Sequence, residues 1–256
     1  MGGRVKRVAD RWYLCVNVDG EFGRPTTHIN SIAGIDLGVK TAVVSSQQGS
    51  FVSPNPLKSA LTRLKRAQRK MCRRVKGSKN QDKARVDVAR IYQRVTNIRK
   101  DFMHKVTTRL VRENQTNVIE DLDVAGMLRN HGLARAVSDV GFGLFRQMMT
   151  YKAPLFGGET IIANRWFASS KTCHCCLEKN ETLTLSDRSW TCRGCGVVHD
   201  RDENASIMLE LYPGLWGTGE FKSRTPMDDH ASTIPTLGKA SKIVEVGTKT
   251  CSTSTT

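Results

Sequence analysis

Two cysteine pairs constrain this chain more than any other feature. Cys173-x2-Cys176 and Cys192-x2-Cys195 are separated by 15 residues, the spacing of a four-cysteine zinc ribbon. Each pair makes a tight knuckle offering two thiolates, and two knuckles close a tetrahedron around one ion. Metal coordination then orders a segment too short for an apolar core of its own. The alternative is a cluster of reduced buried or redox cysteines, which the paired x2 spacing disfavours. Cys175 sits inside the first pair, in Cys173-His174-Cys175-Cys176, and the x2 spacing leaves it free. The N-terminus, Met1-Gly-Gly-Arg-Val-Lys6, lacks the apolar stretch of a secretion signal. Reduced thiols are therefore expected rather than a disulfide framework.

Charge is the second constraint. The chain carries 40 Lys+Arg against 24 Asp+Glu over 256 residues, a formal net charge of +16. Residues 58–112 hold 19 Lys+Arg and 3 Asp, which is +16 by themselves, while the other 201 residues carry 21 of each sign. A neutral protein thus bears one strongly basic insert, which points to a polyanion, nucleic acid ahead of anionic membrane. The chain has no run of about 18 apolar residues of the kind that crosses a bilayer. The length allows one elaborated domain or two small ones.

Periodicity gives the element order. Residues 4–18 alternate as a β-hairpin, with a turn at Ala9-Asp10-Arg11. Such a hairpin is marginal alone and must pack on something. Ile32–Leu37 and Thr41–Ser46 read as strands joined at Gly38-Val39-Lys40. Apolar residues at 57, 61, 64, 71 and 75, then at Ala84, Val88, Ile91, Val95, Ile98, Phe102, Val106 and Leu110, predict two helices. They form an antiparallel pair with a narrow apolar seam and basic outer faces. Thr116–Leu122 reads as a strand, 138–153 as a helix ended by Pro154, Glu159–Asn164 as a strand and 201–212 as a short helix. From Pro213 onward the chain is rich in Gly, Ser, Thr and Pro, and 213–256 reads as a disordered tail. The order predicts an α/β core with two insertions.

Three acids sit where surface charge is out of place. Asp36, in Gly34-Ile-Asp-Leu-Gly38, shares its strand face with the two glycines, which leaves room for a metal or a phosphate backbone; the alternative is an Asp ending a strand before a turn. Glu120, in Val118-Ile-Glu-Asp-Leu122, shares an apolar face and is costly unless paired or metal-bound, or else lies on a solvated edge. Asp123 reads as a turn residue. In His199-Asp-Arg-Asp-Glu-Asn204, Asp200 and Glu203 resemble a capping box, which leaves Asp202 projecting from the helix start. Dipole complementation is the alternative role for Asp202, and Asp200 remains the other candidate. Three carboxylates in a basic protein suit two magnesium ions gripping a scissile phosphate. The histidines at 28, 104, 131, 174, 199 and 230 are scattered and read as surface or packing residues, and no Walker-type loop is present.

Together, Gly34-Ile-Asp-Leu-Gly-Val-Lys40, Val118-Ile-Glu-Asp-Leu122, Arg165-Trp-Phe167, Ser170-Lys-Thr-Cys173, Trp190-Thr-Cys-x2-Cys-Gly196 and His199-Asp-Arg-Asp-x-Asn-Ala205 resemble the TnpB (OrfB) proteins of bacterial insertion sequences, relatives of type V CRISPR effectors. The resemblance runs in order from about residue 4 to 211. It implies an RNase H-like, RuvC-type nuclease core over 31–169 and 200–212, with a basic helical hairpin inserted at 57–113 and a zinc ribbon at 170–199. It implies Asp36, Glu120 and Asp202 as catalytic acids holding Mg2+, and Cys173, Cys176, Cys192 and Cys195 as ligands of a structural Zn2+. Arg63, Lys65, Arg66, Arg69, Lys70, Arg73, Arg74 and Lys76 are then expected to hold nucleic-acid backbone beside the cleavage centre. The implied partners are a guide RNA from the transposon end, target DNA and a full-length relative, at the nucleoid in the cytoplasm and away from membranes. The implied activity is RNA-guided DNA cleavage, with a non-cleaving nucleic-acid-binding regulator as the alternative and strand transfer ranked below both. Two departures stand out. Residues 1–30 resemble only the last hairpin of the family's wedge barrel, as in an N-terminally truncated copy. Leu177 stands where a glycine is expected after the first cysteine pair.

Overall fold

The computed structural model describes residues 2–18, 20, 30–184 and 186–216. These fall into two units, residues up to 22 with 57–97, and residues 23–56 with 98 onward.

In the first unit, β1 (Gly3–Val8) and β2 (Arg11–Val16) pair antiparallel around Ala9, whose φ is +55°. The expected support for this hairpin comes from α2 (Lys79–Glu113), whose first part belongs to this unit. Arg90 forms an ion pair with Asp10 at 2.7 Å, and Gln93 Nε2 donates to the Tyr13 hydroxyl at 2.6 Å. α1 (Pro56–Cys72) starts on a proline, whose missing N–H costs nothing in a first turn. Its seam against α2 is narrow, as the spacing predicts: Leu64, Val88 and Ile91 are buried, with Leu57, Ala60, Ala67 and Met71 around them. Val75, counted in that period, lies beyond the helix end and is 79% exposed.

The second unit is built on a five-stranded sheet of order β5-β4-β3-β6-β7. β3 (Ile32–Asp36), β4 (Val43–Ser45) and β5 (Gly49–Phe51) run antiparallel in sequence, while β6 (Thr116–Glu120) and β7 (Glu159–Ala163) lie parallel to β3. β5 is too short for alternation to reveal it. Period-2 alternation splits the buried residues between two faces. Ile35 and Ile119 join Val43, Leu110, Phe142, Phe145 and Met149 in the main core. Val118 and Ala163 join Leu209 and Tyr212 on the opposite face, beneath α6 (Arg201–Trp216).

Four expectations are corrected here. The helix anticipated at 138–153 is two, α4 (Ala134–Val140) and α5 (Phe142–Leu155), because Gly141 at φ +81° caps the first through its N–H to Val137 O. Pro154 falls within the last turn of α5 rather than ending the helix. α3 (Val124–Arg129) was not anticipated; Asp123 is its N-cap, its carboxylate accepting from the Gly126 N–H. α6 runs through Pro213 to Trp216, so 213–216 is helical, and the remainder of the anticipated tail, 217–256, lies outside the described residues.

The glycines beside Asp36 also do a different job from the one expected. A Cβ at Gly34 would collide with the backbone of Ser206, Leu209 and Glu210, so the space is filled by α6 itself. At Gly38 the Thr41 carbonyl stands 2.7 Å from where a Cβ would be. Neither glycine holds open a path for a phosphate. Gly34 instead lets α6 lie backbone-close on β3.

Candidate metal centres

That close approach assembles the acids. β3 and β6 pair in register, Gly34 opposite Val118 and Ile35 opposite Ile119. Asp36 and Glu120 follow at the C-terminal ends of adjacent parallel strands, on the face that α6 covers. Asp202 enters from the first turn of α6. The Asp200 carboxylate accepts from the N–H groups of Asp202 at 2.9 Å and Glu203 at 3.1 Å, so it is consumed as the helix cap. Asp202 forms ion pairs with Arg188 at 3.5 Å and Arg201 at 3.4 Å. It borders a cleft of about 530 Å³ whose lining includes Lys40, Thr41, Ser46, Ser50 and Arg188.

Electrostatics ties the three together. Burial, then the negative charges of Glu120 and Asp202, hold the Asp36 carboxyl well above the usual carboxylate range, with Arg201 opposing. Burial likewise raises Glu120, moderated by a hydrogen bond from the Ser169 hydroxyl and by Arg201. Asp121, one residue on, is neutralised by Arg146 at 2.6 Å and Arg165 at 3.2 Å, which removes it from the cluster. Carboxylate oxygens are hard donors of the kind a divalent cation such as magnesium takes; among the described residues the sets with ligand atoms within 4.8 Å of one another are built on the cysteines, so the three acids are neighbours that have not closed on one point. Sequence reasoning missed Ser169 and Arg201. Arg201 lies inside the quoted His199–Ala205 motif and Ser169 just before the quoted Ser170–Cys173 motif, but only the folded chain sets them against Glu120.

The cysteine segment forms its own small core of Cys173, Leu183, Trp190 and Cys192. β8 (Ser189–Thr191) and β9 (Val198–Asp200) flank the second knuckle. The Sγ atoms of Cys173, Cys176, Cys192 and Cys195 lie within 4.8 Å of one another, a set that can hold a metal such as zinc. The two knuckles match. Leu177 N–H bonds to Cys173 O and Gly196 N–H to Cys192 O, each at 2.9 Å. Leu177 and Gly196 both have positive φ, +63° and +74°. Hydrogen bonds favour one thiolate: burial raises Cys173, but the amides of Cys176 and Cys175 bring it down to about 6. At Cys176 the Glu178 amide favours ionisation, yet its neighbour Cys192 and burial push the thiol up to about 12.

Cys175 is not remote from this cluster. With Cys173 and His199 it makes a second set of ligand atoms within 4.8 Å. His199 is buried rather than superficial, its Nε2 3.1 Å from Cys173 Sγ and its ring packed on Trp190 and His174. Asn204 joins the ribbon to α6. Its amide nitrogen donates to Ser169 O and Thr172 O, and its carbonyl oxygen accepts from His174 N–H.

In the first unit, Arg66, Arg69, Lys70, Arg73 and Arg74 line one concavity, with Lys70 also 3.8 Å from Asp87. Arg63, Lys65 and Lys76 carry the same basic stretch outward from it.

The fold belongs to a recognisable class. In the cryo-EM structure of the Cas12f1-sgRNA-target DNA complex, the protein matches 80% of this chain and 55% of its own length at TM-score 0.52 and 17% identity. A CRISPR-Cas12f ternary complex matches 78% at TM-score 0.51. At this identity the likeness shows a shared fold. Sequence comparisons then give the family. Residues 13–131 match the OrfB_IS605 model, described as "Probable transposase", and 142–209 match the Cas12f1-like TNB domain. A Streptomyces pristinaespiralis protein named "Putative RNA-guided DNA endonuclease" is 43% identical over 198 residues, 77% of this chain and 49% of its own. The Escherichia coli K12 relative InsQ, which carries the same description, is 28% identical over 79% of this chain and 54% of its own. The chain belongs to the TnpB (OrfB) family of transposase-associated, RNA-guided DNA endonucleases. It spans about half the length of the curated relatives it matches.

Proposed function

We propose that this chain is the nuclease portion of an RNA-guided DNA endonuclease, with a RuvC-like site formed by Asp36, Glu120 and Asp202. The observation that carries this reading is the register of β3 and β6, which sets Asp36 beside Glu120 on the face where Gly34 seats the helix bearing Asp202. The three carboxylates would hold magnesium, which when bound activates water and stabilises the leaving oxygen of a phosphodiester. Ser169 holds the Glu120 carboxyl in place, and Arg201 limits the mutual repulsion of the acids. Cys173, Cys176, Cys192 and Cys195 bind a structural zinc that fixes the ribbon.

The basic concavity on α1 contacts nucleic-acid backbone. The names of the relatives support RNA as the guide and DNA as the target. The test is cleavage by the purified chain with magnesium, single-stranded DNA and co-purified RNA. Asp36→Asn, Glu120→Gln and Asp202→Asn each abolish product while binding persists. Tight binding without products from the unaltered chain would assign a non-cleaving binder instead.

A further inference from the structure

Trp166 is 85% exposed, the most exposed large hydrophobic residue among those described. The backbone beneath it is held firmly. The Trp166 N–H donates to Asn164 Oδ1 at 2.9 Å, and the Phe167 N–H to Asn164 O at 2.9 Å. The Asn164 N–H donates to the Tyr212 hydroxyl at 3.1 Å, and the Phe167 ring packs edge-on against Tyr212, centroids 4.9 Å apart. The loop therefore packs a partly buried Phe167 inward and presents the neighbouring indole to solvent on a fixed base.

The shoulders of this loop rest on the end of β6 that carries the acid site. Arg165 binds Asp121, and Ser169 donates to Glu120. A strand whose phosphate lies at the carboxylates has an adjacent base close to this loop. The surroundings of Trp166 choose the occupant. In sequence it follows Asn164 and the half-exposed Arg165, and among the described residues no other exposed large hydrophobic lies in this loop to extend it into the apolar patch a protein partner needs. An exposed aromatic face on a polar loop matches the face of an unpaired base. Bases in a duplex are already stacked, so only an unpaired one offers its face.

We propose that Trp166 is a stacking platform for one unpaired base of the strand that enters the acid site. Its location on the strand's path rests on the nuclease reading above, but stacking itself does not require cleavage. The test measures binding of a fluorescent, unstructured oligothymidylate and of its abasic counterpart to the full chain, in calcium, with Trp166→Ala and Trp166→Phe.

Removing the indole weakens oligothymidylate binding about 10-fold, in the range of one lost base–aromatic stack. Phenylalanine retains binding within about threefold, as another aromatic platform should. Wild type and Trp166→Ala bind the abasic strand equally. Oligothymidylate quenches indole emission in the wild type more than in Trp166→Phe. Equal affinity of Trp166→Ala and wild type for oligothymidylate, an equal loss on the abasic strand, or no binding by the wild type overturns the proposal. Because the side chain is exposed, Trp166→Ala melts at the wild-type temperature, and a drop in that temperature also counts against the proposal. If this pattern holds while Asp36→Asn cleaves like wild type, stacking stands and the acid assignment falls; the reverse result sinks stacking alone.

Discussion

At the scale of single residues, Asp36 carries the most telling strain. Its carboxyl is held protonated above the ordinary range by burial and by Glu120 and Asp202. A raised folded-state pKa means the native state binds more protons than the unfolded chain. Stability is then present at low pH and is lost as pH rises from the ordinary aspartate value of 3.8 towards the raised folded value. In magnesium-free buffer at neutral pH, Asp36→Asn stabilises the protein, because the neutral amide presents no charge for the site to bury. Urea titrations across pH check both the sign and the flatter profile of the variant. Leu177 is a second strained position, because a β-carbon at φ +63° costs about 1 kcal/mol where glycine costs nothing. Leu177→Gly raises stability by about that amount, read as slower loss of metal to a chelator and a higher melting temperature. The sequence alone shows both residues, and even the unexpected leucine, because motif spacing is local. It does not show Ser169, Arg201 or Trp166 in their settings, because the partners of each come from distant segments.

At the scale of elements, the contact between α6 and β3 places the catalytic candidates. Alternation correctly put Gly34 and Asp36 on one face, but the reason for the glycine was illegible: nothing in Gly34-Ile-Asp says that a helix backbone will lie there. Gly34→Ala pushes α6 away and costs about 2 kcal/mol or more, of the order measured for overpacking. It also displaces Asp202 and so impairs any metal binding shared with Asp36. Leu209→Ala, on the same helix, leaves a cavity and costs about 3 kcal/mol without moving Gly34. Comparing the two by denaturation and by metal binding separates loss of packing from loss of placement. The ribbon behaves differently, since its core is four residues and two knuckles. Chelation exposes amides 170–200 to hydrogen exchange while those of β3 and β6 remain protected. Loss of protection throughout would show that the ribbon is integral to the sheet. The breaks in the helices were harder to foresee. Gly141 divides α4 from α5 through a left-handed backbone, whereas Pro154 and Pro213, conventional stop signals, sit within helical turns.

At the scale of the whole molecule, charge and chemistry are segregated along the sequence. The basic excess lies in 58–112, and the three acids and four cysteines lie in the balanced remainder. Replacing Arg66, Arg69, Arg73 and Arg74 with glutamine should weaken binding alike for unrelated sequences. It should also flatten the dependence of affinity on salt by about one unit of slope per lost phosphate contact. Unchanged slopes would remove the α1 concavity from the interface. The account depends centrally on the three acids acting as one cation site. The direct measurement is binding of manganese, as a spectroscopic stand-in for magnesium, to the zinc-loaded chain and to Asp36→Asn, Glu120→Gln and Asp202→Asn. Binding saturates in the wild type and each substitution weakens it at least about 10-fold; wild-type affinity in all three variants would show that these acids do not share a cation.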